Sequence, residues 1–109
     1  MASLASDVLF SIDTNLQIKN GLNIETRNTN KTLTMKDSPY QAIDNTHGSA
    51  IDCTLPAPAS GVAFHILSLS ASQNIVVKDP GGSTVATLAP DKYCLVVSDG
   101  TGWYSMLVA

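Results

Sequence analysis

The chain has 109 residues with a formal net charge of −3, a length that bounds it at one domain burying about 60–70% of the surface its unfolded chain exposes. Charged residues are 14% of the total, against roughly 25% in an ordinary globular protein, and a surface so poor in charge is usually covered somewhere. The scattered cations Lys19, Arg27, Lys31, Lys36, Lys78 and Lys92 argue against nucleic-acid binding, which needs clustered Lys and Arg to replace phosphate counterions.

The first residues carry Leu4, Val8, Leu9 and Phe10 with no turn or strand partner close by in sequence. An apolar arm of this kind, residues 1–15, either is disordered, docks back onto its own domain or lies on another chain, and the last choice suits an assembly. The amino terminus lacks the basic start and long apolar core of a secretory signal, and no apolar run approaches the ~18 residues of a membrane span. A soluble protein made in the cytoplasm is expected.

Residues 16–109 read as a single all-β domain. Leu16 and Ile18 alternate with Gln17 and Lys19, Asn20-Gly21 supplies a two-residue turn, and Leu22 with Ile24 resumes the pattern. That arrangement predicts a hairpin over 16–27. After the polar loop 28–31, residues 32–35 predict a strand with Leu33 and Met35 on one face, and Asp37-Ser38-Pro39 breaks the ladder because proline has no amide donor. Pairing restarts near Tyr40, Ala42 and Ile43, and Asn45-Thr46-His47-Gly48 turns the chain again.

Ile51, Cys53 and Leu55 alternate inward before the stiff connector 56–61. Val62 to Leu69 is a strand with Phe64 and Ile66 on one side and His65, Leu67 and Leu69 on the other. Apolar residues on both faces predict that it is covered twice, once by the core and once by a neighbouring subunit. Strands follow at 74–78, 83–88, 93–98 and 103–108, punctuated by Asp79-Pro80-Gly81-Gly82, Ala89-Pro90-Asp91-Lys92 and Asp99-Gly100-Thr101-Gly102. Short strands at this spacing predict a compact antiparallel β-sandwich, jelly-roll-like or β-barrel domain. Helical periodicity is absent.

Catalytic and ligand-binding constellations are not evident, so neither an enzyme nor a cofactor, metal or small-molecule substrate is expected. His47 reads as a turn residue, and His65 has no spacing that would pair it with a nucleophile or chelate zinc. The nine carboxylates sit mostly where aspartate is expected at turns and strand ends, and the alternating acidic pattern of a calcium loop is absent. Gly81-Gly82 follows a proline and precedes no helix, so it is a turn and not a phosphate cradle. Cys53 and Cys94 read as buried thiols that could be strand neighbours, and in a reducing cytoplasm no disulfide is expected between them. Trp103 and Tyr104 are adjacent, so one fills the core and the other reaches the rim, a partner or a carbohydrate.

The pieces Leu33-Thr34-Met35-Lys36-Asp37-Ser38-Pro39-Tyr40, Cys53-Thr54-Leu55-Pro56-Ala57-Pro58, Ile75-Val76-Val77-Lys78, Thr87-Leu88-Ala89-Pro90 and Asp99-Gly100-Thr101-Gly102-Trp103-Tyr104 together resemble a module of bacteriophage virion proteins. These are head decoration (cement) proteins, head fibres and tail-fibre segments. The likeness spans about two thirds of the chain and implies a compact all-β unit that associates as a homotrimer. A single short domain without heptads, collagen-like repeats or a shaft fits a cement protein on the outer surface of the phage head better than a fibre. The resemblance then implies major capsid protein as the partner, with Leu4, Val8, Leu9 and Phe10 binding it and Phe64, His65, Leu67, Leu69, Trp103 and Tyr104 forming the trimer interface. A tail-fibre or head-fibre module that binds a host receptor or carbohydrate is the alternative.

Overall fold

The computed structural model describes residues 21–109. The arm and the first half of the 16–27 hairpin lie outside the described residues. Nine strands follow in order: β1 (Leu22–Arg27), β2 (Lys31–Thr32), β3 (Tyr40–Asn45), β4 (Ile51–Thr54), β5 (Ala63–Ser68), β6 (Ile75–Lys78), β7 (Thr84–Leu88), β8 (Tyr93–Ser98) and β9 (Trp103–Val108). They form a five-stranded sheet in the order β1-β3-β5-β8-β9 and a four-stranded sheet in the order β2-β4-β6-β7. The two sheets share one apolar core, and neither closes into a barrel.

The all-β expectation holds, but the antiparallel pairing does not. Strands β1 to β6 alternate between the sheets, and each lies parallel to the strand two before it, so that Tyr40 lies beside Leu22, His65 beside Tyr40 and Ile75 beside Ile51. The linkers between them carry the chain across to the other sheet and do not reverse it within one. The intervening strand thus serves as the crossover that parallel pairing requires, a task usually given to a helix. Antiparallel pairing enters between β5 and β8, which the β6–β7 segment separates in sequence, and at two sharp turns. The Asp79–Ser83 turn, with Gly82 at φ 92° and its N–H donated to the Asp79 carbonyl at 3.0 Å, joins β6 to β7, and the turn after Asp99 joins β8 to β9.

Stacked coils place like residues over like. Ile51, Ile75 and Leu88 form one inward rung of the four-stranded sheet, and Cys53, Val77 and Ala86 form the next. Opposite them lie Ile43, Phe64, Ile66, Cys94 and Val96 from the other sheet. Each fully buried Ile or Val contributes about 1.5–3 kcal/mol relative to exposure. Trp103 closes this core against Phe64, with ring centroids 5.9 Å apart, and donates its Nε1–H to the Pro56 carbonyl at 2.8 Å. The two thiols lie in opposite sheets of the core and are not strand neighbours. Burial pushes Cys53 up to about 12 and Cys94 to about 11.

A further expectation is corrected. Thr34 N–H donates to the Asp37 carboxylate at 2.7 Å and Asp37 N–H to the Thr34 carbonyl at 3.1 Å, so the chain turns directly after β2. Leu33 is buried while Met35 is exposed, and they do not share a face. In β1, Asn23, Glu25 and Arg27 are the more covered residues and Leu22 and Ile24 the exposed ones. Asn23 donates to Gln41 Oε1 at 2.7 Å, and Glu25 pairs with Lys31 at 2.5 Å and Arg27 at 3.3 Å. Burial works against the Glu25 charge, but hydrogen bonds from Lys31, Asn23 and Arg27 outweigh it and hold the carboxyl below its usual range. The first coil is thus closed by a polar network instead of apolar packing.

A buried polar corner fixes the coils relative to one another. Asn45 Nδ2 donates to the carbonyls of Asn74 at 2.9 Å and Ser49 at 3.1 Å, and its Oδ1 accepts from His47 N–H at 2.8 Å. Its backbone N–H donates to Ser70 Oγ at 2.9 Å, and Ser70 Oγ accepts from Ser68 Oγ at 3.0 Å. His47 is an exposed turn residue, as expected.

Candidate functional site: the outer face of the five-stranded sheet

Alternation along a strand assigns successive residues to opposite faces, and the register carries each outward residue across the sheet. One outward rung runs Leu22, Tyr40, His65, Leu95, Leu107 through all five strands. The next runs Ile24, Ala42, Leu67, Tyr93 and reaches Ala109, whose backbone exchanges two 2.8 Å hydrogen bonds with Tyr93. Ala63, Val97 and Tyr104 make a third on one side, and Thr26 with Asp44 lie on the other. Asp44 carries the single charged side chain on these rungs. Ile24 is 65% exposed, Leu22 52% and Leu107 50%.

An aromatic stack occupies the centre. The His65 ring lies on Tyr40 with centroids 4.5 Å apart and planes 5° from parallel, and on its other side it meets Tyr93 at 5.8 Å. His65 Nδ1 is hydrogen-bonded to the Tyr93 hydroxyl. Burial lowers the pKa of the imidazole below its ordinary value, and burial, chiefly, raises that of the Tyr93 phenol, so both favour the neutral form. Leu22, Tyr40, Ala42, His65, Leu67 and Tyr93 border a shallow apolar groove of about 200 Å³.

The outer face of the four-stranded sheet is chemically different. Its outward rungs hold Thr32 and Thr54, then Asp52, Val76 and Thr87, with Lys78 and Thr84 completing them. Lys78 Nζ lies 3.1 Å from Asp52 Oδ2. One side of the molecule is therefore an ordinary solvated β-surface, and the other is a broad, nearly uncharged apolar one. Exposed apolar residues scattered singly need no explanation, whereas a contiguous patch of this kind marks an interaction surface.

The residues expected at a subunit interface separate into two groups. His65 and Leu67 lie at the middle of the apolar face, Leu69 just beyond the end of β5, and Tyr104 half-exposed on β9. Phe64 and Trp103 are 2% and 7% exposed in the core of their own chain, so their side chains are not available to a partner. The reason is the period of two: Phe64 and Trp103 alternate with His65 and Tyr104 and must face the other way. Leu4, Val8, Leu9 and Phe10 lie outside the described residues. Sequence reasoning missed Leu22, Ile24, Leu95 and Leu107 as face residues, and took Tyr40 and Tyr93 only as exposed aromatics for a carbohydrate. The signal for β8 was present, because Tyr93 to Val97 is apolar on both faces, as β5 is.

Among the described residues no three His, Cys, Asp or Glu side chains converge where they could hold a metal ion, and no helix is long and apolar enough to cross a membrane. The chemistry the face offers is apolar and aromatic contact. No family model matches the chain, and no characterised protein or solved structure matches it either.

Proposed function

We propose that this is a structural protein of a bacteriophage virion, a decoration protein that binds the outer surface of the head as a homotrimer and bridges subunits of the major capsid protein. The observation that carries this reading is the largely apolar outer face of the five-stranded sheet, on whose rungs Asp44 is the one charged side chain. A chain acting by association needs such a surface, and the module resemblance supplies the setting. Contacts that remove apolar surface contribute about 25 cal/mol per Å² before the cost of association is subtracted. In a trimer, second and third contacts become intramolecular, so modest single-site affinity suffices to clamp a shell.

In this reading the arm, with Leu4, Val8, Leu9 and Phe10, straps the trimer to capsid protein. The test is to add the purified chain to phage heads lacking it, measure bound copies by sedimentation, and image the particles by electron microscopy. Density on the outer surface at threefold or quasi-threefold positions, lost on deletion of residues 1–11, is the expected result. Heads that bind none at saturating protein would overturn the reading.

The parallel stacking of β1 to β6 favours one second reading, a segment of a head or tail fibre, because stacked coils are the unit of solenoid architectures. It predicts a cell-surface or carbohydrate ligand at Tyr104 and its neighbours, which silence on a glycan array would count against.

A further inference from the structure

We propose that the outer face of the five-stranded sheet is the surface through which copies of this chain associate, with Leu67 and the Tyr40–His65–Tyr93 stack at the centre of the contact. This rests on the assembly reading above and replaces its expected subunit contact, in which Phe64 and Trp103 are buried in their own chain, with one whole sheet face.

Charge decides the occupant. Close to a symmetry axis a residue meets its own copy, whereas farther out it meets a different residue, so a charge near the axis faces a like charge. A partner of different sequence could supply a compensating charge, and a face built for it would carry charges to be matched. The side chains along the rungs that begin at Leu22 and Ile24 are neutral, and Asp44 and the Ala109 end of its rung lie towards the margins. The polar face of the four-stranded sheet, with its Lys78–Asp52 pair, shows that the same chain places charge on a sheet where solvent is the neighbour.

Area points the same way. All five strands are six residues long. At about 4.8 Å between strands and about 3.3 Å per residue they cover roughly 500 Å² in projection. A corrugated side-chain surface exposes more than its projection, which brings the face towards the roughly 800 Å² per partner of a standard interface. Aromatic residues at the middle of such a patch are where interface energy concentrates.

Sedimentation equilibrium of the full chain at micromolar concentration tests this. The wild type is expected to sediment as more than one copy. Leu67→Asp, which puts a carboxylate at the centre of the face, is expected to raise the dissociation constant at least about a hundredfold. Thr87→Asp, on the outer face of the other sheet, is expected to leave it unchanged. Far-UV circular dichroism checks that Leu67→Asp is folded; if it is not, Ile24→Lys, at a side chain 65% exposed in the single chain, carries the test. A wild-type monomer, an oligomer indifferent to both face variants, or equal weakening by Thr87→Asp would each overturn the proposal. Monomers that nonetheless bind phage heads would refute this surface while leaving capsid binding intact, and oligomers that ignore heads would do the reverse.

Discussion

Replacing Asn45 tests whether the buried corner holds the stacked coils in place. The side chain makes three hydrogen bonds, donating at 2.9 and 3.1 Å to carbonyls on two different loops and accepting at 2.8 Å from His47, and its residue is 3% exposed. A buried hydrogen bond is worth about 1 kcal/mol net, and removing one partner leaves the other unpaired. Asn45→Ala should therefore cost about 3 kcal/mol, a large share of the roughly 5–15 kcal/mol that holds a domain together. In a chain of this size the midpoint of thermal unfolding should fall on the order of 15 °C. Urea unfolding should show the loss as a lower midpoint at unchanged slope. Asn45→Asp is sharper, since it keeps the acceptor for His47 but aims a carboxylate at two carbonyl oxygens. Protonation restores a donor, so the folded-state pKa of the introduced carboxyl lies above its unfolded value. That variant should be the less stable of the two at neutral pH and should recover as pH falls through that raised pKa. A cost below about 1 kcal/mol for Asn45→Ala, or an aspartate variant whose stability ignores pH, would refute the corner's role.

Three further outcomes are expected. Trp103→Phe keeps a ring against Phe64 but orphans the Pro56 carbonyl, and should lower stability by about 2 kcal/mol in urea titration. Cys53 and Cys94, both buried with raised pKa values, should be silent to a thiol reagent at pH 8 in the folded protein and should both react once it is denatured. His65 has a lowered folded-state pKa, so the unfolded chain takes up its proton first. Stability should begin to fall as pH drops below about 6.5 and level off once the folded pKa is passed, and thermal scans of His65→Gln should lack that segment.

The strands from Ile51 onward were legible because alternation and turn chemistry agree there. Ile51, Cys53 and Leu55 point inward as read, the β6–β7 and β8–β9 turns fall at their Gly-rich punctuation, and β8 keeps its expected bounds. Neighbour and direction were not legible. A period of two reports which face a residue takes and says nothing of which strand lies beside it, so parallel coils read as antiparallel hairpins. Strand β1 shows the same limit. Alternation separates Leu22 and Ile24 from Asn23, Glu25 and Arg27 without saying which set is inward, and here the polar set is the more covered one. The candidate face was half visible, through His65 and Leu67. Its full width depends on bringing Leu22, Tyr40, Leu95 and Leu107 into one rung, which only the register does.

The charged layer beneath β1 also bears on how the described stack could be extended. A further coil laid against that end would have to bury Glu25, Arg27 and Lys31 under a new layer, stranding ions that now keep partial access to water. Among the described residues, composition and not geometry thus disfavours another buried layer at that end. An engineer wishing to lengthen the rod would begin by exchanging those three side chains for aliphatic ones and moving the ionic layer outward onto the added turn.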